Sequence, residues 1–214
     1  MSDFDLTMTD KLLSTTRSVR KRLDLEKEVD LDVINECLRL AIQAPTGSNK
    51  QGWRWIVVSD EDARKSLADI YRTGNGHYLE SGKLNASDGG ETQNERVFDS
   101  AIYLAENLEK VPVHVIPCIQ VKIPLNMKTT LPSALYGSII PAIWSFQLAL
   151  RSRGLGSVYT TPHLEKPIKE LLKIPKDFIP VALIPVAHTI GKNFKAANRK
   201  PLENVVFMNV WNNS

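Results

Sequence analysis

Apolar residues recur at helical or strand spacing along most of the chain, and this pattern predicts its elements. A helix is predicted over 31–44, where apolar side chains repeat every three or four positions behind Asp30, a good N-cap. Residues 53–58 form a short aromatic and β-branched run, which is typical of a buried strand. Further helices are predicted before Arg17 and over 61–71, 94–110, 133–153 and 164–173, and further strands over 113–121 and 178–187. Because helices and strands alternate irregularly, the pattern favours an α+β fold.

Three segments stand out from this pattern. Residues 73–94 are rich in Gly, Asn, Ser and Asp, which predicts a long loop that acts as a mobile lid. Residues 133–153 are apolar on nearly all sides, so this helix is expected to be central. Pro141 is expected to start or kink its main segment, and Gly154 to end it. Residues 202–211 are apolar but too short to form a core of their own, so they need another surface.

Composition predicts a single soluble domain over residues 1–214. With 43% hydrophobic residues, the 214-residue chain can form one substantial core. The net charge of +3 and the dispersed Lys and Arg residues give no reason to expect a nucleic-acid partner. The N-terminus has no apolar block, and the longest apolar stretch, 138–150, is shorter than the about 20 residues of a membrane helix. We therefore expect a cytoplasmic protein with no membrane partner.

Cysteine and histidine usage gives no metal site. Cys37 and Cys118 stand alone in apolar surroundings, and the chain has neither a Cys-x-x-Cys pair nor a His-Glu-x-x-His motif. Lone thiols of this kind fit a reducing compartment, where they act as small buried hydrophobes. His114 and His188 fall in predicted strands and are expected to be core residues, whereas His163 is a candidate to line a site because it follows two threonines.

Two segments in the first quarter of the chain carry groups that can bind a polar ligand. Arg17, Ser18 and Arg20 place two guanidiniums and a hydroxyl within four residues, a set that can hold a phosphate. A solvated basic turn is the other interpretation. Residues 44–53 offer hydroxyls, amides and glycine N–H groups, which can satisfy the edge of a polar heteroaromatic ring. An ordinary helix-to-strand loop accounts for the same residues.

Two later segments extend the set. Residues 154–162 follow the central helix and offer backbone N–H groups together with the hydroxyls of Thr160 and Thr161. The alternative is a helix stop before a short strand. Arg199 begins the sequence Arg-Lys-Pro-Leu-Glu before the apolar tail, and a basic linker is the alternative there.

Taken together, the order and spacing of these segments resemble the nitroreductase family. The pattern comprises Arg-Ser-x-Arg, Ala-Pro-(Ser/Thr)-x-x-Asn-x-Gln-x-Trp, a long helix ending in Gly-Leu-Gly, and a late Arg-x-Pro-Leu. These motifs stand at residues 17–20, 44–53, 154–156 and 199–202, and the resemblance covers about residues 12–206. The first and last motifs, with Thr160-Thr-Pro162, also resemble the flavin-dependent dehalogenase branch.

The resemblance implies a mostly antiparallel sheet flanked by helices, in a domain-swapped homodimer that binds FMN at its interface. Residues 202–214 would form a C-terminal arm onto the partner subunit. The residues implied to hold the FMN phosphate and ribityl chain are Arg17, Ser18, Arg20 and Arg199. Those implied to face the isoalloxazine from the other subunit are Pro45, Thr46, Ser48 and Asn49, with Gln51 in the same cofactor-binding loop. Those implied to lie on the flavin N5 side are Gly156 and Ser157, with Thr160 and Thr161 as catalytic residues.

The activity implied is electron transfer from NAD(P)H through flavin N5 to a nitroaromatic, quinone or similar small-molecule electron acceptor, in ping-pong order. A reductive dehalogenase, a flavin-cleaving enzyme and a non-catalytic FMN-binding protein are the alternatives. Two departures bear on these choices. Gly52 stands where the family commonly has Pro, and Tyr78, Glu80 and Lys83 match the dehalogenase lid in residue type without an alignment that assigns them.

Overall fold

The computed structural model describes residues 3–121, 130–161 and 164–211. Its helices are α1 (Leu6–Thr15), α2 (Leu31–Ala41), α3 (Glu61–Asp88), α4 (Thr92–Glu106), α5 (Thr130–Ser152) and α6 (Glu165–Leu171). Its strands are β1 (Trp53–Val58), β2 (Val113–Gln120), β3 (Leu155–Ser157), β4 (Phe178–Pro180) and β5 (Ile184–His188). The α+β class predicted from the sequence is confirmed.

The strands form one antiparallel sheet in the order β1-β2-β5-β3, with β4 also paired to β2. The prediction of a single strand over 178–187 is wrong, because the structure has two strands there, β4 and β5. Between them Leu183 exchanges both backbone hydrogen bonds with Thr160, at 2.9 and 3.1 Å, instead of pairing with β2. Pro117 of β2 has no N–H to offer, although its carbonyl accepts from the Val181 N–H at 2.8 Å.

Helices cover both faces of the sheet. Side chains of β2 alternate between the two cores: Val113 and Val115 pack with α2 and α5, whereas Ile116 and Cys118 pack with α3, α4 and α6. This alternation follows from the two-residue period of a strand. Both cysteines are buried and free, as expected of small hydrophobes, and burial raises the pKa of Cys118 to about 12.

The long helix α5 is central, as its composition predicts. Ile139, Ile143, Phe146 and Leu150 are buried against α2 and the sheet. Helix α5 runs through Pro141, so the main segment does not start there. By length and composition alone, Pro132–Ser152 is long and apolar enough to cross a membrane. The apolar stretch identified from the sequence, 138–150, is shorter and did not predict this. Only 39% of the apolar window within Pro132–Ser152 is buried within the chain, and Ile140 and Trp144 are exposed.

The prediction of a loop over 73–94 is wrong, because helix α3 continues as far as Asp88 and packs against α4. Gly82 allows this pairing: a Cβ there would stand 2.3 Å from the Phe98 ring of α4. Leu79 and Ala86 are buried in the same contact. Tertiary packing therefore overrides the low helix propensity of this glycine-rich segment.

Candidate functional site

The basic segment at residues 17–22 lies beside β3, at the edge of the sheet. The Val19 N–H donates to the Ser157 carbonyl at 2.9 Å. Gly156 makes this close approach possible, since a Cβ there would stand 3.1 Å from Val19 Cβ and 2.7 Å from Thr189 Cγ2. The structure thus brings the first and third motifs of the sequence together at one place.

Arg20 is the most enclosed cation of the basic segment. Its Nη1 lies 3.4 Å from Ser100 Oγ, while its buried Nε–H has no acceptor among the described residues. Burial lowers the pKa of Arg20, and nearby Tyr71 opposes that shift. A buried donor left without an acceptor costs about 1–3 kcal/mol. An anion that accepted this hydrogen bond would therefore stabilise the site.

The remaining predicted phosphate ligands are exposed. Arg17 and Ser18 face solvent, and Arg17 Nη1 donates to the Lys195 carbonyl at 3.1 Å. Arg199 is also exposed, and its Nη1 contacts the carbonyl of its neighbour Asn198 at 3.2 Å. Among the described residues no carboxylate reaches ion-pair distance of Arg17 or Arg199. The structure does not bring Arg199 into contact with the basic segment of its own chain.

The loop between α2 and β1 has an unusual backbone. Ser48, Asn49 and Gln51 have φ values of 53°, 52° and 48°, in the left-handed region that favours glycine. The Gln51 N–H donates to Thr46 Oγ1 at 3.1 Å, and Gln51 Nε2 donates to Asn49 Oδ1 at 3.0 Å. Pro45, Ser48, Asn49 and Gln51 are exposed, so few contacts within the chain reward this conformation. Backbone strain of this kind is typical of functional sites.

Helix α5 anchors this loop and β3 at separate points. Ser138 Oγ accepts from the Gly47 N–H at 3.1 Å, and Gln147 Nε2 donates to Ser157 Oγ at 3.1 Å. Ser138 and Gln147 are nine residues apart, about 14 Å along a helix axis. Helix α5 therefore holds the loop and β3 at two distinct levels along its axis.

Ser138 and Gln147 were not predicted as site residues. Both are polar positions in the most apolar helix of the chain, and this is the signal that could have identified them. A polar side chain in a buried helix needs a hydrogen-bond partner, and here each partner belongs to a predicted motif.

Thr160 is buried, and its hydroxyl donates to the Leu183 carbonyl at 2.6 Å. Because its own hydrogen is engaged, Thr160 can offer a ligand only an acceptor lone pair. Thr161 is exposed. Pro162 and the candidate His163 lie outside the described residues.

The candidate lid side chains are engaged in the packing of α3 against α4. Lys83 Nζ lies 3.3 Å from Asp99 Oδ1, and Asp99 also pairs with Lys21 of the basic segment. Hydrogen bonds from Lys21 and then Lys83 lower the pKa of the Asp99 carboxyl. The Tyr78 ring meets the Phe98 ring edge-on at 5.9 Å. The segment predicted as a lid is thus part of a packed helical hairpin, and Asp99 of α4 joins that hairpin to the basic segment.

Large apolar side chains are exposed at both ends of the chain. Helix α1 has no buried residue and exposes Leu6 and Met8. In the C-terminal arm the Trp211 side chain is 78% exposed, and Phe207 stacks on it at 5.0 Å. Apolar surface of this extent is typical of protein–protein contacts.

Comparisons with known proteins agree with the motifs and the fold. A family model described as the nitroreductase family matches residues 13–188. An iodotyrosine deiodinase of Thermotoga neapolitana is 25% identical over 178 residues, which cover 82% of this chain and 86% of that protein. An Archaeoglobus fulgidus protein provisionally named an NADH dehydrogenase/NAD(P)H nitroreductase is 31% identical over 64 residues, or 30% of this chain and 36% of that protein.

A solved structure shares the fold over nearly its whole length. It is an oxidised iodotyrosine deiodinase bound to FMN and 3-iodo-L-tyrosine, with a TM-score of 0.72 and 20% identity, and the match covers 94% of this chain and 99% of that one. The nitroreductase-like fold implied by the motifs is therefore confirmed. With the family match over most of its length, the chain belongs to the nitroreductase family.

Proposed function

We propose that this protein is an FMN-dependent oxidoreductase that works as a homodimer and passes electrons from NAD(P)H to a small organic acceptor such as a nitroaromatic or a quinone. Family membership supports the general class. One observation carries the cofactor: the buried Arg20 Nε–H has no acceptor among the described residues, and it lies in a basic segment beside Gly156. A phosphate supplies the missing acceptor.

The residues present fit FMN. Arg17 and Arg20 would bind the phosphate through guanidinium donors, with Ser18 adding a hydroxyl, and this set suits a group with nearly two negative charges. Arg199 would add a further cation. Bound by these residues, FMN would supply the hydride-accepting and electron-donating chemistry, so the protein itself would need no nucleophile.

Thr160 would tune the flavin through a hydrogen bond in one direction. Its hydroxyl hydrogen is held by the Leu183 carbonyl. Toward the flavin ring, Thr160 would therefore act as a hydrogen-bond acceptor. It would stabilise a ring nitrogen that carries a hydrogen more than one that carries none. The exposed amide and hydroxyl groups of the loop at 45–51 would satisfy the polar edge of the ring from the partner subunit.

The homodimer is proposed because the site and the apolar surface both need a second chain. Ser138 holds the loop and Gln147 holds β3, the strand beside the basic segment, at separate levels of α5. In a symmetric pair, the loop of each copy would complete the site beside the basic segment of the other. The exposed C-terminal arm and α1 would be covered in the same assembly.

A flavin-dependent reductive dehalogenase is the second candidate, favoured by the Thermotoga neapolitana relative that aligns over 82% of this chain. The two functions differ in their reductant: a protein whose flavin is reduced by dithionite but not by NAD(P)H would favour the dehalogenase.

The test begins with the colour of the purified protein. We expect a yellow protein whose flavin absorption bleaches on addition of NADH or NADPH and returns on addition of a nitroaromatic or quinone. Stopped-flow mixing of the reduced protein with a panel of acceptors would rank them. A colourless protein that takes up no added FMN would refute the proposal.

A further inference from the structure

A strap of residues 189–195 follows β5 and leads toward the C-terminal arm, and the basic segment holds it. Arg22 Nε donates to the Ile190 carbonyl and Arg22 Nη1 to the Asn193 carbonyl, both at 2.8 Å. The Ile190 N–H donates back to the Arg22 carbonyl at 2.8 Å. One arginine therefore fixes the strap at several points.

Phe194 is the centre of this attachment. The Arg22 Cζ lies 3.9 Å from the Phe194 ring centroid, and the Arg151 Cζ lies 4.7 Å from it. Arg151 Nη2 also donates to the Lys192 carbonyl at 3.3 Å. Guanidiniums are attracted to the face of an aromatic ring. We refer to Arg22, Arg151 and Phe194 as the Phe194 clamp.

Gly191 is required for the clamp to close. Its φ is 75°, in the left-handed region, and a Cβ at this position would stand 2.8 Å from Arg22 Nη2. Any side chain at position 191 would therefore strain the backbone and displace the guanidinium that lies over Phe194.

The two guanidiniums come together without a counter-charge. Among the described residues neither Arg22 nor Arg151 has an ion-pair partner. Burial and then the charge of Arg22 lower the pKa of Arg151. Repulsion between like charges is offset here by the ring and by the strap carbonyls, so the strap and the two arginines hold one another in place.

We propose that Phe194 is a positioning residue, which fixes the direction in which the chain leaves the strap and so places Arg199 for phosphate binding. This inference rests on the proposed function, in which Arg199 contributes to FMN binding. Lys195, the next residue, is bound by Arg17. Four residues of chain reach at most about 14 Å, so the strap confines Arg199 to the neighbourhood of the basic segment.

A double-mutant cycle on the full-length protein tests this role. Phe194→Leu keeps an apolar side chain but removes the ring. We expect it to weaken FMN binding roughly tenfold, because a misplaced Arg199 would lose much of the charged hydrogen bond that it makes to the phosphate. Because Phe194 acts through Arg199, the double variant with Arg199→Ala should bind FMN no more weakly than Arg199→Ala alone. Losses that multiply would show instead that Phe194 supports the fold in general.

Further variants separate the clamp from charge and from folding. Phe194→Tyr keeps the ring and should restore FMN affinity, whereas Gly191→Ala should reproduce the loss from a different position. Lys192→Met removes a charge from the strap without altering the clamp and should leave affinity unchanged. Unaltered affinity in both Phe194→Leu and Gly191→Ala, with a weakened Arg199→Ala, would overturn the positioning role alone. Unaltered affinity in Arg199→Ala would remove Arg199 from the proposed function and overturn this inference with it.

Discussion

At the scale of one residue, Arg20 carries a buried hydrogen-bond donor that the proposed phosphate would satisfy. Its Nε–H is buried without an acceptor among the described residues, while Ser100 takes one other donor at 3.4 Å. Burial also lowers its pKa, because it removes water from around the guanidinium. A bound anion would supply the acceptor that this donor lacks within the described part of the chain.

Replacement of Arg20 by Met should therefore act in opposite directions on binding and stability. FMN binding should weaken by about 2 kcal/mol, the scale of a charged hydrogen bond, while the free energy of unfolding of the apoprotein should not fall. Flavin fluorescence titration and thermal unfolding of the apoprotein measure the two effects. Arg39→Met, at an exposed position of α2, is the matched control. Equal FMN affinity in the two variants would show that Arg20 is not a phosphate ligand.

His114 predicts how stability depends on pH. It is fully buried in β2, and neither ring nitrogen reaches hydrogen-bond geometry with another described residue. Burial, and after it the charge of Arg64, lowers the pKa of His114 to about 3, against a smaller opposing effect of the Leu108 backbone. Unfolding restores an ordinary histidine pKa near 6.5. Below that pH the unfolded chain binds a proton that the folded chain does not.

The contribution of His114 to the free energy of unfolding should accordingly be constant above pH 6.5. As the pH falls from about 6.5 to 3, the free energy of unfolding should decrease by about 1.4 kcal/mol per pH unit. Urea unfolding at pH 7.5 and pH 5.0 would measure a difference of roughly 2 kcal/mol from this residue. In His114→Leu, which cannot titrate, that part of the difference should vanish. The same pH dependence in both proteins would assign it to other groups.

At the scale of elements, the sequence pattern predicts the bounds of a helix or strand correctly where they depend on that segment alone. It fails where they depend on packing against a second segment. Strand β1 coincides with the predicted residues 53–58 because its apolar run is bounded by polar turns. Helix α3 was predicted to end near Tyr71, since glycines beyond it reduce helix propensity. Gly82 instead serves the contact with Phe98, which local propensity cannot reveal. Likewise, the motifs identified the candidate site, but the anchors Ser138 and Gln147 required the fold.

Two alanine substitutions in α3 should separate propensity from packing. At Gly76 an added Cβ meets nothing within 4 Å, so Gly76→Ala should raise the free energy of unfolding by up to about 1 kcal/mol. At Gly82 the Cβ would overlap the Phe98 ring, and Gly82→Ala should lower that free energy by about 1 kcal/mol or more. Chemical unfolding measures both. If Gly82→Ala stabilised the protein as much as Gly76→Ala, the hairpin would be loosely packed.

At the scale of the whole molecule, helix α1 and the C-terminal arm are rich in large apolar side chains, and many of these side chains are exposed. Met208, Val210 and Trp211 are 61–78% exposed, although the sheet and its helices form well-packed cores. Helix α1 adds a further apolar surface. The homodimer proposed above would account for both, because in a symmetric dimer each arm would cover the other copy of the chain.

Removal of the arm should therefore change assembly and cofactor binding together. A chain truncated after Pro201 should be monomeric by light scattering, and it should lose FMN on gel filtration, because each proposed site uses residues of both chains. Truncation after Trp211 retains the exposed apolar residues described above and is the control. Since the arm contributes no residue to either core of its own protomer, far-ultraviolet circular dichroism of the truncated chain should be preserved. A truncated protein that stays dimeric would refute the swapped arm, and a monomer that retains FMN would place the whole site within one chain.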